Sequence, residues 1–70
     1  MALIRAEMAG KVLEVFVAEG DSVGEDQDLI LIESMKMQIP VGSPEEGRVV
    51  KVFVVAEQFL NEGDSIVELG

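Results

Sequence analysis

Four residue types that usually perform chemistry or staple small proteins are missing: the chain has no cysteine, histidine, tyrosine or tryptophan. Without cysteine there are neither disulfides nor thiolate metal sites. Without histidine the commonest general base and the commonest metal ligand are lost together. A self-contained catalyst would have to be built from carboxylates, lysine or serine alone, which argues against an enzyme. Basic residues are scarce as well. Five Lys and Arg stand against fourteen Asp and Glu, a formal charge of −9. Nucleic-acid binding rests on cations that neutralise phosphates, and anionic membranes recruit polybasic segments. Neither a nucleic acid nor a membrane is therefore expected as a partner. The acidic surface reads first as a solubilising shell, and more sharply as complementary to basic partner enzymes.

Long apolar runs are absent too, so no stretch is long enough to span a membrane as a helix. Residues 1–7 lack the charged-then-apolar layout of a signal peptide. These absences predict a cytoplasmic protein, or one in another intracellular compartment if the chain is a piece of a larger enzyme. Seventy residues predict one domain over 1–70, near the lower limit for a core without staples.

What the chain does have is short, Val- and Ile-rich runs separated by Gly and acidic turns, the pattern of an all-β protein. Strands are expected over 3–6, 11–18, 29–32 and 39–41, with turns at 19–22 and 24–28 and a loop at 42–47. Shifting the sequence by 37 residues aligns its halves without a gap. Gly10, Lys11, Val12, Val15, Phe16 and Val17 fall on Gly47, Arg48, Val49, Val52, Phe53 and Val54. Val23, Glu25, Leu29, Ile30 and Ile32 fall on Leu60, Glu62, Ile66, Val67 and Leu69. Two such halves, neither able to bury a core alone, predict a pseudo-two-fold flattened barrel or sandwich of about four short strands per half.

The valines of each half are spaced by three and then two, which a flat strand would place on opposite faces. Either these valines point both ways, or a β-bulge near Leu13–Glu14 and Val50–Lys51 re-phases the strand; the bulge is the favoured reading. It sends Glu14 and Lys51 to solvent and Phe16 and Phe53 off the core face.

Between the central strands lies Glu33-Ser34-Met35-Lys36-Met37-Gln38. A two-residue turn normally wants residues that tolerate positive φ, and Met35 and Lys36 do not. Backbone strain of this kind collects at functional sites. Lys36 has no partner under the repeat, since its image would be residue 73. The symmetry therefore places Lys36 at one pole and the chain ends at the other. Lys11 and Lys51, inside expected strands, read as ordinary solvated lysines.

Glu33-Ser34-Met35-Lys36-Met37 closely resembles the Glu-Ala-Met-Lys-Met attachment motif of biotin carboxyl carrier domains and of single-domain biotin/lipoyl attachment proteins. Residues 19–23, 27–29, 47–49 and 62–66 resemble the same family, so the likeness spans nearly the whole chain. The resemblance implies a barrel-sandwich hybrid of two four-stranded sheets, with biotin joined by an amide bond to Lys36. Met35 and Met37 would be recognised beside it, and Glu33 and Ser34 would complete the motif. It implies three partners: a biotin protein ligase that uses ATP, a biotin carboxylase that carboxylates the ureido nitrogen, and a carboxyltransferase. Such a carrier is no enzyme itself and is expected to be monomeric. Acylation would change the formal charge to −9 − 1 = −10. Lipoyl domains share the fold, but usually place Asp before the lysine and Ala after it. Lipoate is thus the rival cargo, and an unmodified structural domain is the third reading. The chain departs from the family at Ser34, which replaces an Ala, and at Asp26 and Glu57, where Gly is usual. Glu57 is the departure that puts a local turn in question.

Overall fold

The computed structural model describes residues 2–70. Eight strands follow one another: β1 (Ala2–Arg5), β2 (Gly10–Val15), β3 (Ser22–Val23), β4 (Asp28–Ser34), β5 (Met37–Gly42), β6 (Gly47–Val52), β7 (Phe59–Leu60) and β8 (Ser65–Leu69). They form two four-stranded sheets, ordered β1-β8-β6-β3 and β5-β4-β2-β7, with every pairing antiparallel. This is the barrel-sandwich architecture that the family resemblance implies, and the two sheets expected from the repeat. Several strand ends differ from expectation: β4 and β5 run further in both directions, over Asp28–Ser34 and Met37–Gly42 instead of 29–32 and 39–41. The first strand is 2–5, not 3–6, and β2 stops at Val15 although the apolar run continues to Ala18. The Ala18 N–H is taken by the Asp21 carboxylate at 2.9 Å, so the chain turns there and crosses to the other sheet.

Exchanging β1 with β5, β2 with β6, β3 with β7 and β4 with β8 converts one sheet order into the other. The pseudo-two-fold is therefore a property of the fold, not only of the sequence. Its interior is symmetric as well. Val12 and Val49, Leu29 and Ile66, Ile30 and Val67, Ile32 and Leu69, and Val23 and Leu60 are all buried in one cluster between the sheets. Both bulges are present, the register slipping between Val12 and Glu14 against β4 and between Val49 and Lys51 against β8. Glu14 and Lys51 are exposed, as the re-phasing requires. Phe16 and Phe53 are 45% and 38% exposed, off the core face, and the Lys51 ammonium lies 5.2 Å from the Phe53 ring centre.

The four crossing turns share one construction. In 18–21, 24–27, 55–58 and 61–64 the fourth N–H bonds the first carbonyl, at 3.1 to 3.3 Å. The fourth side chain accepts the first N–H, from Asp21, Gln27, Gln58 and Asp64. The third residue has positive φ: Gly20 93°, Asp26 68°, Glu57 77°, Gly63 91°. That is the mark of a type II turn, which favours Gly at this place. Each half thus carries one Gly and one substitute, and Glu57 keeps the turn shape its side chain disfavours.

Candidate functional site: the lysine hairpin

β4 and β5 form a hairpin whose last ladder pair is Ser34 with Met37, leaving Met35 and Lys36 alone in the turn. Both have positive φ, 54° and 64°, as a type I′ turn requires. Such turns match the right-handed twist of the strands they join. The strain expected from the sequence is thus real, roughly 1–2 kcal/mol for each non-Gly residue held in the left-handed region. The twist of β4 and β5, anchored by the buried Leu29, Ile30 and Ile32, imposes it.

The tip stands clear of the body. Met35 is 92% exposed and Met37 61%. Lys36 and Glu33 are exposed and Ser34 is half-buried. Neither methionine fills the core. Among the described residues Lys36 has no salt-bridge partner, the one ion pair being Lys11 with Glu57 at 2.8 Å. Nor do Lys36 and its methionines line the groove of about 360 Å³ between the edge strands β1 and β5, which is bounded by Leu3, Ile4, Ile39 and Pro40 among others. Among the described residues no three His, Cys, Asp or Glu converge as metal ligands. What this site can offer is a primary amine on a flexible stem, unobstructed, at the end of a rigid body.

The hairpin is braced by β2. Lys11 pairs with Glu33 in the ladder, and Gly10 lies so close that a Cβ there would sit 2.7 Å from the Glu33 carbonyl oxygen. The hydrogen bond to Glu57 and then its charge hold the Lys11 ammonium above the ordinary lysine value, with Glu33 adding to the effect. The neighbourhood of Lys11, Glu57 and the exposed Phe59 beside the hairpin was not legible in the sequence. Only the crossing turn 55–58 brings them together, through Glu57 N–H to Val12 O at 2.7 Å and Val12 N–H to Gln58 O at 2.8 Å.

At the far pole, β2 leads into the turn at 18–21, whose Gly20 N–H bonds Val49 O. There Ala2 pairs with Leu69, and Gly70 bonds back to Arg48. The chain ends therefore occupy the two-fold copy of the hairpin. The body between the poles is elongated, 31 × 17 × 17 Å.

A rigid β body with one lysine presented at a hairpin pole defines a carrier-type domain. The model of the family described as "Biotin-requiring enzyme" matches residues 2–69, and the chain belongs to that family of biotin/lipoyl domains. It is 48% identical over 63 residues to the biotinylated protein TB7.3 homolog of Mycobacterium leprae, covering 90% of this chain and 89% of that one. Mitochondrial pyruvate carboxylase of mouse matches 94% of this chain at 42% identity, within 6% of its own length. The urea carboxylase of Kluyveromyces lactis superposes on 99% of this chain with a TM-score of 0.91 and 28% identity, again through 6% of that chain. The protein is thus a biotin-requiring carrier domain, homologous to the biotinyl domains of carboxylases.

Proposed function

We propose that Lys36 is the acceptor of biotin and that the loaded arm shuttles between a biotin carboxylase and a carboxyltransferase. One observation carries this reading: Lys36 stands between two exposed methionines in a strained turn of a family whose members require biotin. The residues fit the group. The amine is free of ion pairs among the described residues, and the tip leaves room for an acyl chain on every side but its base.

Lys36 would take the acyl group: its nitrogen would attack the carbon of an activated carboxyl, a C–N bond forming as the bond to the leaving group breaks. The leaving group would carry off that electron pair, and the nitrogen would give up a proton to the ligase or solvent. Met35 and Met37 supply polarisable apolar surface on either side of the attacking nitrogen. Glu33 and Ser34 fix the last ladder pairs below it, so the turn keeps its shape as the amine is presented. Bound biotin supplies a ureido nitrogen that takes up and gives up a carboxyl group. The chain itself tethers this group, and the tether raises its effective concentration at two separate active sites. Chemistry at those sites belongs to the partners.

Co-expression with a biotin protein ligase, read by intact mass, tests the acceptor. One biotin per chain is expected, and none on Lys36→Ala. Failure to load where a control carrier loads would overturn the reading. Lipoate ligase in a parallel arm tests the rival cargo, with little or no addition expected.

A further inference from the structure

The repeat provides an internal control for what the fold needs. The turn after β2 reads Ala18-Glu19-Gly20-Asp21-Ser22-Val23, and the turn after β6 reads Val55-Ala56-Glu57-Gln58-Phe59-Leu60. Both keep the same hydrogen bonds, the same positive φ and the same buried final residue. The fold therefore accepts Ala, Gly and Ser at three of these places. The second copy nevertheless carries Val55 at 66% and Phe59 at 62% exposure, and a glutamate at a φ of 77° where the first has glycine. Core packing explains none of the three.

Their position does. The 18–21 turn is bonded to Val49 at the pole of the chain ends, and the 55–58 turn to Val12 at the pole of Lys36. Phe59 lies opposite Lys11, and Lys11 opposite Glu33, so one row crosses the sheet from Phe59 to the base of the hairpin. Two strand spacings make that row about 10 Å wide. A standard interface covers about 800 Å² per partner, about 16 Å in radius, so a protein seated on the tip reaches Phe59. Exposed Phe is enriched at such contacts and depleted elsewhere on surfaces.

We propose that Val55 and Phe59, joined to the hairpin by the Lys11–Glu57 ion pair, form a docking surface for the biotin protein ligase that loads Lys36. This rests on the acceptor role given to Lys36 above. The ligase is the occupant because its substrate is the bare amine, at the end of a four-carbon stem. Its active site must come down onto this pole. Enzymes that use the loaded arm reach it through the added biotin chain and can stay further away.

The test exchanges the halves' residues, with Val55→Ala and Phe59→Ser together, in a steady-state assay of biotin transfer at limiting ligase. Circular dichroism and thermal melting check that the variant is folded. Phe59→Thr, with better strand propensity, is the second variant should the double one melt early. The KM for the domain is expected to rise about tenfold, with kcat within about twofold, as loss of binding common to ground and transition states requires. The reciprocal pair at the other pole, Ala18→Val with Ser22→Phe, should leave KM unchanged. An unchanged KM in a folded variant overturns the docking surface while leaving Lys36 as acceptor. So does unchanged loading combined with slower turnover by a carboxylase, which would assign the patch to a later partner. No loading of the wild-type chain overturns both.

Discussion

Met35 and Lys36 hold φ values of 54° and 64°, a conformation Asn tolerates far better than Met. Met35→Asn should therefore stabilise the domain by about 1 kcal/mol, raising the melting temperature by about 4–8 °C, while lowering the rate of biotin transfer. Thermal melts and loading kinetics on the same variant check both halves of this expectation. A gain in stability with loss of loading is what strain kept for use looks like at the level of one residue. Lys11 allows a second prediction. Its hydrogen bond and charge interaction with Glu57 raise its pKa above the ordinary 10.5, so the protonated form is favoured by folding. The contribution is fully present below the ordinary value and is lost as pH rises through the higher folded one. The stability difference between wild type and Glu57→Gln should accordingly be present at pH 8 and shrink at a pH above the ordinary lysine value of 10.5. Urea midpoints at the two pH values measure it.

Among the elements, β2 and β6 are copies of each other, yet their first residues are packed differently. A Cβ on Gly10 would meet the Glu33 carbonyl oxygen at 2.7 Å, whereas on Gly47 the nearest atom, the carbonyl oxygen of Gly70, is 3.4 Å away. The first contact involves backbone held in a ladder on both sides and cannot relax. Gly10→Ala should cost about 1–3 kcal/mol and shift the base of the lysine hairpin, while Gly47→Ala should cost clearly less. Chemical denaturation of the two variants decides it. Both bulges were legible in the sequence because the valine spacing of three then two violates the two-residue period of a strand. The true end of β2 was not legible, because the Phe16–Ala18 segment has strand composition. Past Val15 the Phe16 N–H still bonds Leu29 O, and the Ala18 N–H is then taken by the Asp21 carboxylate as the chain turns.

The whole molecule is a symmetric body with one joint open. Ala2 lies beside Leu69, where a copy of the lysine hairpin would otherwise close the chain. A short linker from Gly70 to Ala2, with new ends cut between Glu45 and Glu46, should give a circular permutant with the same β signal and undiminished biotin loading. New ends are best tolerated where backbone is exposed; both glutamates are exposed, and the Glu45 carbonyl accepts only a local bond from the Ser43 hydroxyl. A permutant that fails to fold would show that chain order, beyond contacts, specifies the fold. Symmetry also makes the core one unit. Leu29 and Ile66 are equivalent and fully buried, and Leu29→Ala or Ile66→Ala should each cost about 2–5 kcal/mol. For a domain of this size either loss consumes most of the stability.

The sequence by itself determined the all-β class, the two-fold repeat, the bulges and the lysine turn. Each of these is written in local order: residue spacing, turn residues and the alignment of the chain on itself. Tertiary structure decided what no local pattern can carry. It kept Glu57 in a turn its side chain disfavours, since the backbone bonds to Val12 outweigh the strain. It also placed Val55, Phe59 and the Lys11–Glu57 pair beside a hairpin some twenty residues away along the chain from each of them. That neighbourhood exists only because two sheets exchange strands at each pole, so that each half of the chain completes the other half's end.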